Sequence, residues 1–183
     1  MSPLNDASLF LVNTVFGLYV YTLIARFLLQ ASRADFYNPL AQFIWRVTNP
    51  VVQPLQRWIP RWRSWDLATL VFAWVVLVVN LSLDFALLAV AWSPTVIVLA
   101  GLKLVLMFMT FYTFSILIQA VMSWFGAAGH SPAYGLLFAL NEPLLRPVRR
   151  RLPPIGGLDL SPLLVIIVLQ VLSILVPLAP VLR

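Results

Sequence analysis

The chain has so few charges that each can be weighed singly, and two of them, Asp84 and Lys103, lie inside long apolar runs. A charge at the centre of a membrane span costs roughly 2.5–3.5 kcal/mol on insertion scales, so such a residue carries a functional hypothesis by default. Ser93 and Pro94 stand midway between them, so a hairpin turning there brings both groups to similar depth. They are expected to pair near the far interface, with Lys103 able to snorkel, and the sharper alternative is a proton or cation site. Asn80, one helical turn from Asp84, extends that site, whereas Asn13, Thr14, Thr110, Thr113, Ser115 and Ser123 read as helix-packing groups. His130 is the single histidine and there is no cysteine. A histidine metal cluster, bis-histidine haem, iron–sulfur ligation, a disulfide and a thiolate nucleophile within this chain are thereby excluded. Gly156 and Gly157 follow prolines and read as a turn, not as a phosphate loop. No nucleophile stands beside an evident base and orienter. The expectation is a protein that is not an enzyme and holds no cofactor or metal.

A second group of candidate residues lies outside the apolar runs. Residues 49–60 read NPVVQPLQRWIP and residues 142–153 read EPLLRPVRRRLP. Pro50 and Pro143 are 93 residues apart, and the same spacing pairs Tyr19 with Tyr112, Pro39 with Pro132, Pro54 with Pro147, Arg57 with Arg150, Pro60 with Pro153, Asp66 with Asp159 and Leu67 with Leu160. A register kept through so many prolines and charges implies a tandem duplication.

The elements that must position these residues follow from composition. The chain is 62% hydrophobic and 10% charged, with a mean hydropathy of +0.95, against about half apolar and a quarter charged in soluble domains. Apolar runs at about residues 7–29, 67–92, 95–124 and 160–182 each supply the ~20 residues that cross a hydrocarbon core. The expected fold is an all-α membrane protein of four transmembrane helices, arranged as two parallel repeats of residues 1–92 and 93–183. MSPLND has no basic region, so the first run is expected to remain as a span.

The connecting loops, 30–66 and 125–159, carry the arginines: Arg33, Arg46, Arg57, Arg61 and Arg63 in the first, and Arg146, Arg149, Arg150 and Arg151 in the second. Both are expected in the cytoplasm, with both termini on the opposite side. Within the first loop Asn38 and Pro39 open a helix with Leu40, Phe43, Ile44 and Val47 along one stripe, and Ser131 and Pro132 open its counterpart. Each is expected to lie in the interface for about ten residues and to end at Pro50 or Pro143, because the residue before proline avoids helical torsions. Asp66 and Asp159 read as helix caps. Arg26 faces Gln119 across the duplication, which argues against a role shared by both copies.

The net charge of +6 is assigned to orientation and anionic lipid, with no direct nucleic acid expected. The candidate surface is therefore Asn38, Pro39, Arg46, Pro50, Pro54, Arg57 and Pro60 with Arg146, Pro147, Arg149 and Arg150. Its expected partners are anionic lipid, another membrane protein or a second copy of this chain.

The stretches RFLLQASRADFYNPLAQFIWRVTNPVVQPLQRWIP and QAVMSWFGAAGHSPAYGLLFALNEPLLRPVRRRLP resemble the two halves of the bacterial YggT family, related to the YlmG proteins. Asn38, Pro39, Thr48, Pro50, Pro54, Arg57 and Pro60 carry the likeness in the first half, and Pro132, Pro143, Pro147, Arg150 and Pro153 in the second; Gln119, Ser131 and Asn141 depart from it. The resemblance implies an inner-membrane protein with no assigned reaction. For bacterial relatives it implies a link to osmotic or extracytoplasmic stress and ion uptake. For photosynthetic relatives it implies nucleoid or division organisation and b-type cytochrome maturation. It thus leaves a membrane organiser or assembly factor open beside a potassium-like cation or osmolyte pathway.

Overall fold

The computed structural model describes residues 3–59, 65–124, 131–152 and 159–178. Six helices follow one another: α1 (Pro3–Ala31), α2 (Pro39–Leu55), α3 (Leu67–Leu87), α4 (Thr95–Trp124), α5 (Pro132–Arg149) and α6 (Ser161–Leu175). α1, α3 and α4 are long and apolar enough to cross a membrane, the pattern of a multi-pass membrane protein. α6 is equally apolar but has 15 residues, about 22 Å of helix. It stops ahead of Pro177, short of the run expected at 160–182, whose last residues lie outside the described ones. The second apolar run is likewise helical only to Leu87.

α1 packs along α3, α4 along α6, and α3 against α4. Val20, Ile24, Phe27 and Leu28 of α1, Leu77 and Leu81 of α3, and Ala100 and Met107 of α4 form the main core. A second cluster, Ile116, Leu145, Val165 and Leu169, joins α4, α5 and α6. Phe10, Leu11, Val15, Val75, Val98, Phe114, Ile167 and Val171 stay exposed on the outer faces. An apolar exterior of this extent suits a lipid solvent, in which backbone polar groups must be satisfied within the helices.

α1 ends in a Schellman turn, with Ala34 N–H on Leu29 O at 3.0 Å and Arg33 N–H on Gln30 O at 3.2 Å. The turn places Arg33 at φ 52°, where a side chain costs about 1–2 kcal/mol. Position 126, 93 residues further on, is glycine.

The two short helices differ from expectation in length. α2 has 17 residues and runs through Pro50 and Pro54, and α5 has 18 and runs through Pro143 and Pro147. The prolines therefore do not end them. Proline disfavours helical torsions in the residue before it, but here that residue is held: Asn49 by Arg26 at 2.7 Å and Glu142 by Arg149 at 3.1 Å. The prolines lie on the exposed side, where water and lipid headgroups can satisfy the carbonyls that lose an amide partner. Of the expected apolar stripe, Leu40, Phe43 and Val47 are exposed, while Ala41, Thr48 and Val52 form the buried face. A buried polar partner for Thr48 overrides the hydrophobic pattern.

Candidate functional site

Arg26, near the end of α1, is a charge buried in the bundle. Its side chain is 1% exposed and lies 3.7 Å from the carboxylate of Asp66, which is 0% exposed. Arg26 Nη1 donates to Thr48 Oγ1 and to Asn49 Oδ1, both at 2.7 Å, and its guanidinium lies 4.0 Å from the centre of the Trp45 ring. Asp66 Oδ2 accepts from Gln56 Nε2 and from Thr69 Oγ1, each at 2.7 Å. Asp66 is thus the cap that its position suggested, with Thr69 N–H on Oδ1 at 3.4 Å, and it is also the counterion of Arg26. Five residues from α2, its end and the start of α3 converge on one guanidinium or its counterion. A buried charge is tolerated where it is paired and hydrogen-bonded in this way.

The positions 93 residues further on also converge, by different chemistry. Gln119 stands where α1 has Arg26, and its Oε1 accepts from Asn141 Nδ2 at 2.8 Å; Asn141 Oδ1 accepts from Ser115 Oγ at 2.7 Å. Arg149 stands where the first half has Gln56, and it donates to Asp159 Oδ2 at 2.8 Å and to Glu142 Oε2 at 3.1 Å. Arginine and glutamine have exchanged places: Arg26 and Gln56 in one half, Gln119 and Arg149 in the other. Each half joins its short helix to an aspartate at the head of the next helix through one guanidinium. The first guanidinium is sealed from solvent, whereas Arg149 is 31% exposed and Asp159 40%. Burial pushes the Asp159 carboxyl up, but the Ser161 amide and the Arg149 guanidinium outweigh it and hold the group below its ordinary value.

The position-by-position comparison of Arg26 with Gln119 hides this exchange. Taken together, positions 26 and 56 against 119 and 149 make it visible in the sequence alone.

At the opposite end of the bundle Asp84 and Lys103 share a cluster without forming the direct ion pair expected of them. Asn13 of α1 stands between them: its Nδ2 donates to Asp84 Oδ1 at 2.9 Å, and its Oδ1 accepts from Lys103 Nζ at 3.3 Å. Lys103 also donates to Asn80 Oδ1 at 3.1 Å. Three helices therefore meet on a neutral sum of charges, and Asn13 is a bridge as well as a packing group.

The remaining candidates form a surface. Arg46, Pro50, Pro54 and Arg57 follow one exposed face of α2 and its end, and Pro143, Arg146, Pro147 and Arg150 do so on α5. Pro60 lies outside the described residues. Asn38 caps α2 by accepting from Leu40 N–H at 2.9 Å, and its Nδ2 donates to Pro132 O at 2.6 Å. The starts of α2 and α5, Pro39 and Pro132, thus adjoin, flanking a cavity of about 420 Å³ lined also by Asp35, Tyr37 and Gly135. No group of three or more histidine, cysteine, aspartate or glutamate side chains is placed to hold a metal among the described residues.

Known proteins are similar to this chain over nearly its whole length. The family model described as CCB3/YggT matches residues 5–91 and 98–180. An uncharacterized protein encoded in the proC 3′ region of Vibrio alginolyticus is 42% identical over 164 residues, covering 88% of each chain. The uncharacterized protein YggT of Escherichia coli K12 is 38% identical over 165 residues, covering 90% of this chain and 86% of that one. An uncharacterized protein of Pseudomonas aeruginosa is 36% identical over 186 residues, covering 96% and 91%. No solved structure matches. With matched segments reaching from residue 5 to residue 180, this chain belongs to the CCB3/YggT family.

Proposed function

We propose that the protein is a non-enzymatic component of the bacterial inner membrane whose two short helices hold anionic lipid at the cytoplasmic face, and that it supports the envelope in this way under osmotic stress. Four spans in two parallel tandem copies, with both arginine-rich loops inside and both termini outside, make up its architecture. The register supports the duplication: α2 and α5 begin at Pro39 and Pro132, 93 residues apart. A fourth span in α6 is supported by its packing along α4, as α3 packs along α1. The arginine bias of the loops supports the orientation. The link to osmotic stress rests on the family resemblance.

The observation that carries the lipid reading is the matched proline and arginine face of α2 and α5. Arg57 and Arg150 stand at the same register, each close in sequence to an exposed apolar residue, Trp58 and Leu152. Near an anionic leaflet each arginine contributes about 1 kcal/mol. Replacing Arg57 and Arg150 together with glutamine is expected to abolish growth support at high osmolarity while the protein still accumulates in the membrane. Normal growth of cells with normal protein levels would overturn the proposal.

The Asp84 cluster favours a second reading, a cation pathway. Its fixed ammonium, Lys103, repels a passing cation, which weighs against it. Cation flux into anionic-lipid vesicles after an osmotic step, lost in Asp84→Asn, would replace the lipid reading; no flux would retain it.

A further inference from the structure

Resting on that reading, we infer that the two lipid-facing helices are unequal: the end of α5 is a releasable clasp whose Arg149 is shared between internal carboxylates and the phosphates of anionic lipid, whereas α2 is fixed. In the first half the guanidinium that joins short helix to next helix comes from the span. Arg26 and Asp66 are sealed from solvent, so neither lipid phosphate nor salt reaches them. In the second half the guanidinium comes from the short helix. Arg149 lies one residue before the exposed Arg150 and three after the exposed Arg146, and both of its carboxylates, Glu142 and Asp159, are about a third exposed or more.

Partly exposed ion pairs and single arginine contacts with anionic lipid are of similar strength, each about fivefold in an equilibrium constant. An anionic surface therefore competes with Asp159 for Arg149. Asn141, Gln119 and Leu145 keep the middle of α5 on α4 meanwhile. Beyond Leu145 the last turn is held on that cluster by Val148 alone, so it is the part of α5 that an anionic surface can draw away. The partner is the headgroup layer of an anionic membrane.

The test uses the absence of cysteine from the chain. Full-length protein carries spin labels at Leu152→Cys and Leu160→Cys, or at the matched positions Ile59→Cys and Leu67→Cys, in discs of phosphatidylcholine alone or with phosphatidylglycerol. Phosphatidylglycerol is expected to raise the ratio of long to short distances about fivefold for the 152/160 pair and to leave the 59/67 pair unchanged. Arg149→Gln is expected to make the 152/160 ratio indifferent to lipid. The exchange Arg26→Gln with Gln56→Arg is expected to confer the response on 59/67; if that variant fails to accumulate, Arg149→Gln decides alone. Inorganic phosphate in neutral discs is expected to move neither pair, and movement there would overturn the assignment to lipid. A 152/160 pair indifferent to lipid, or two pairs moving alike, would overturn the clasp. The Arg57 and Arg150 growth experiment remains independent, because the clasp turns on the pairing of Arg149 with Glu142 and Asp159.

Discussion

Asp66 and Asp159 occupy matched positions, so truncating each to alanine asks how much burial alone changes the worth of the same residue. Asp66→Ala removes two 2.7 Å hydrogen bonds and the counterion of a guanidinium that is 1% exposed. Leaving a buried charge without its partner costs roughly 3–5 kcal/mol, and the lost bonds are part of that figure. Asp159→Ala removes a pair whose members are 31% and 40% exposed, and solvent screening limits the loss to about 1 kcal/mol or less. The two variants should therefore differ by about 3 kcal/mol, close to two powers of ten in the unfolding equilibrium. Urea or dodecyl sulfate titration in mixed micelles, followed by tryptophan fluorescence, reads the difference. Combining Asp66→Ala with Arg26→Met should recover part of the loss, since an apolar replacement of a buried pair is often neutral. Equal losses at the two aspartates, or a double variant as damaged as the sum of its singles, would refute the account of Arg26 as a sealed clasp.

Asn13→Leu deprives Asp84 and Lys103 of their bridge, and a loss of about 1–3 kcal/mol is expected in the same titration. Arg33→Gly relieves the left-handed turn at φ 52° and is expected to raise stability by about 0.5–1 kcal/mol, less if the glycine loosens the unfolded chain. Asp159, held below its ordinary value, contributes stability that is complete above about pH 3.9 and lost as pH falls through its folded value. Acidification below about pH 4 should therefore lengthen the 152/160 distance; a distance indifferent to acid would contradict the ion pair of Arg149 with Asp159.

Much of the architecture was legible because lipid imposes simple rules. The expected third run, 95–124, coincides with α4, since an apolar run bounded by proline and a loop leaves little choice of limits. The short helices were legible at their starts, where Asn38, Pro39 and Pro132 act locally. Their ends were not. A proline rule treats residue 49 or 142 as free to leave the helical region, but Asn49 is bonded to Arg26 of α1 and Glu142 to Arg149 of its own helix. Their buried side was not legible for a related reason. The apolar stripe of Leu40, Phe43 and Val47 suits lipid as well as core, and the buried side was decided by Thr48 answering Arg26. Arg26 was set aside because one position was compared at a time, although the partners had exchanged roles as a set.

The separation of the two polar centres bears on what the spans can do. Asn13 and Arg26 are 13 residues apart on α1, about 20 Å along a helix. The buried side chains between them are Val20, Leu23, Ile24 and Ala25. On α3 the interval from Thr69 to Asn80 buries Ala73 and Leu77, and on α4 the interval from Lys103 to Ser115 buries Leu106 and Met107. An ion leaving the Asp84 cluster within one chain would therefore meet an apolar core before it reached Arg26, and would find there a second fixed cation. Any pathway must run between copies of the chain, along faces now occupied by exposed apolar residues. Reconstitution at protein-to-lipid ratios low enough to leave one chain per vesicle should accordingly be silent to cations. Flux from single chains would show that the apolar core opens, and would move the function from the membrane surface into the spans.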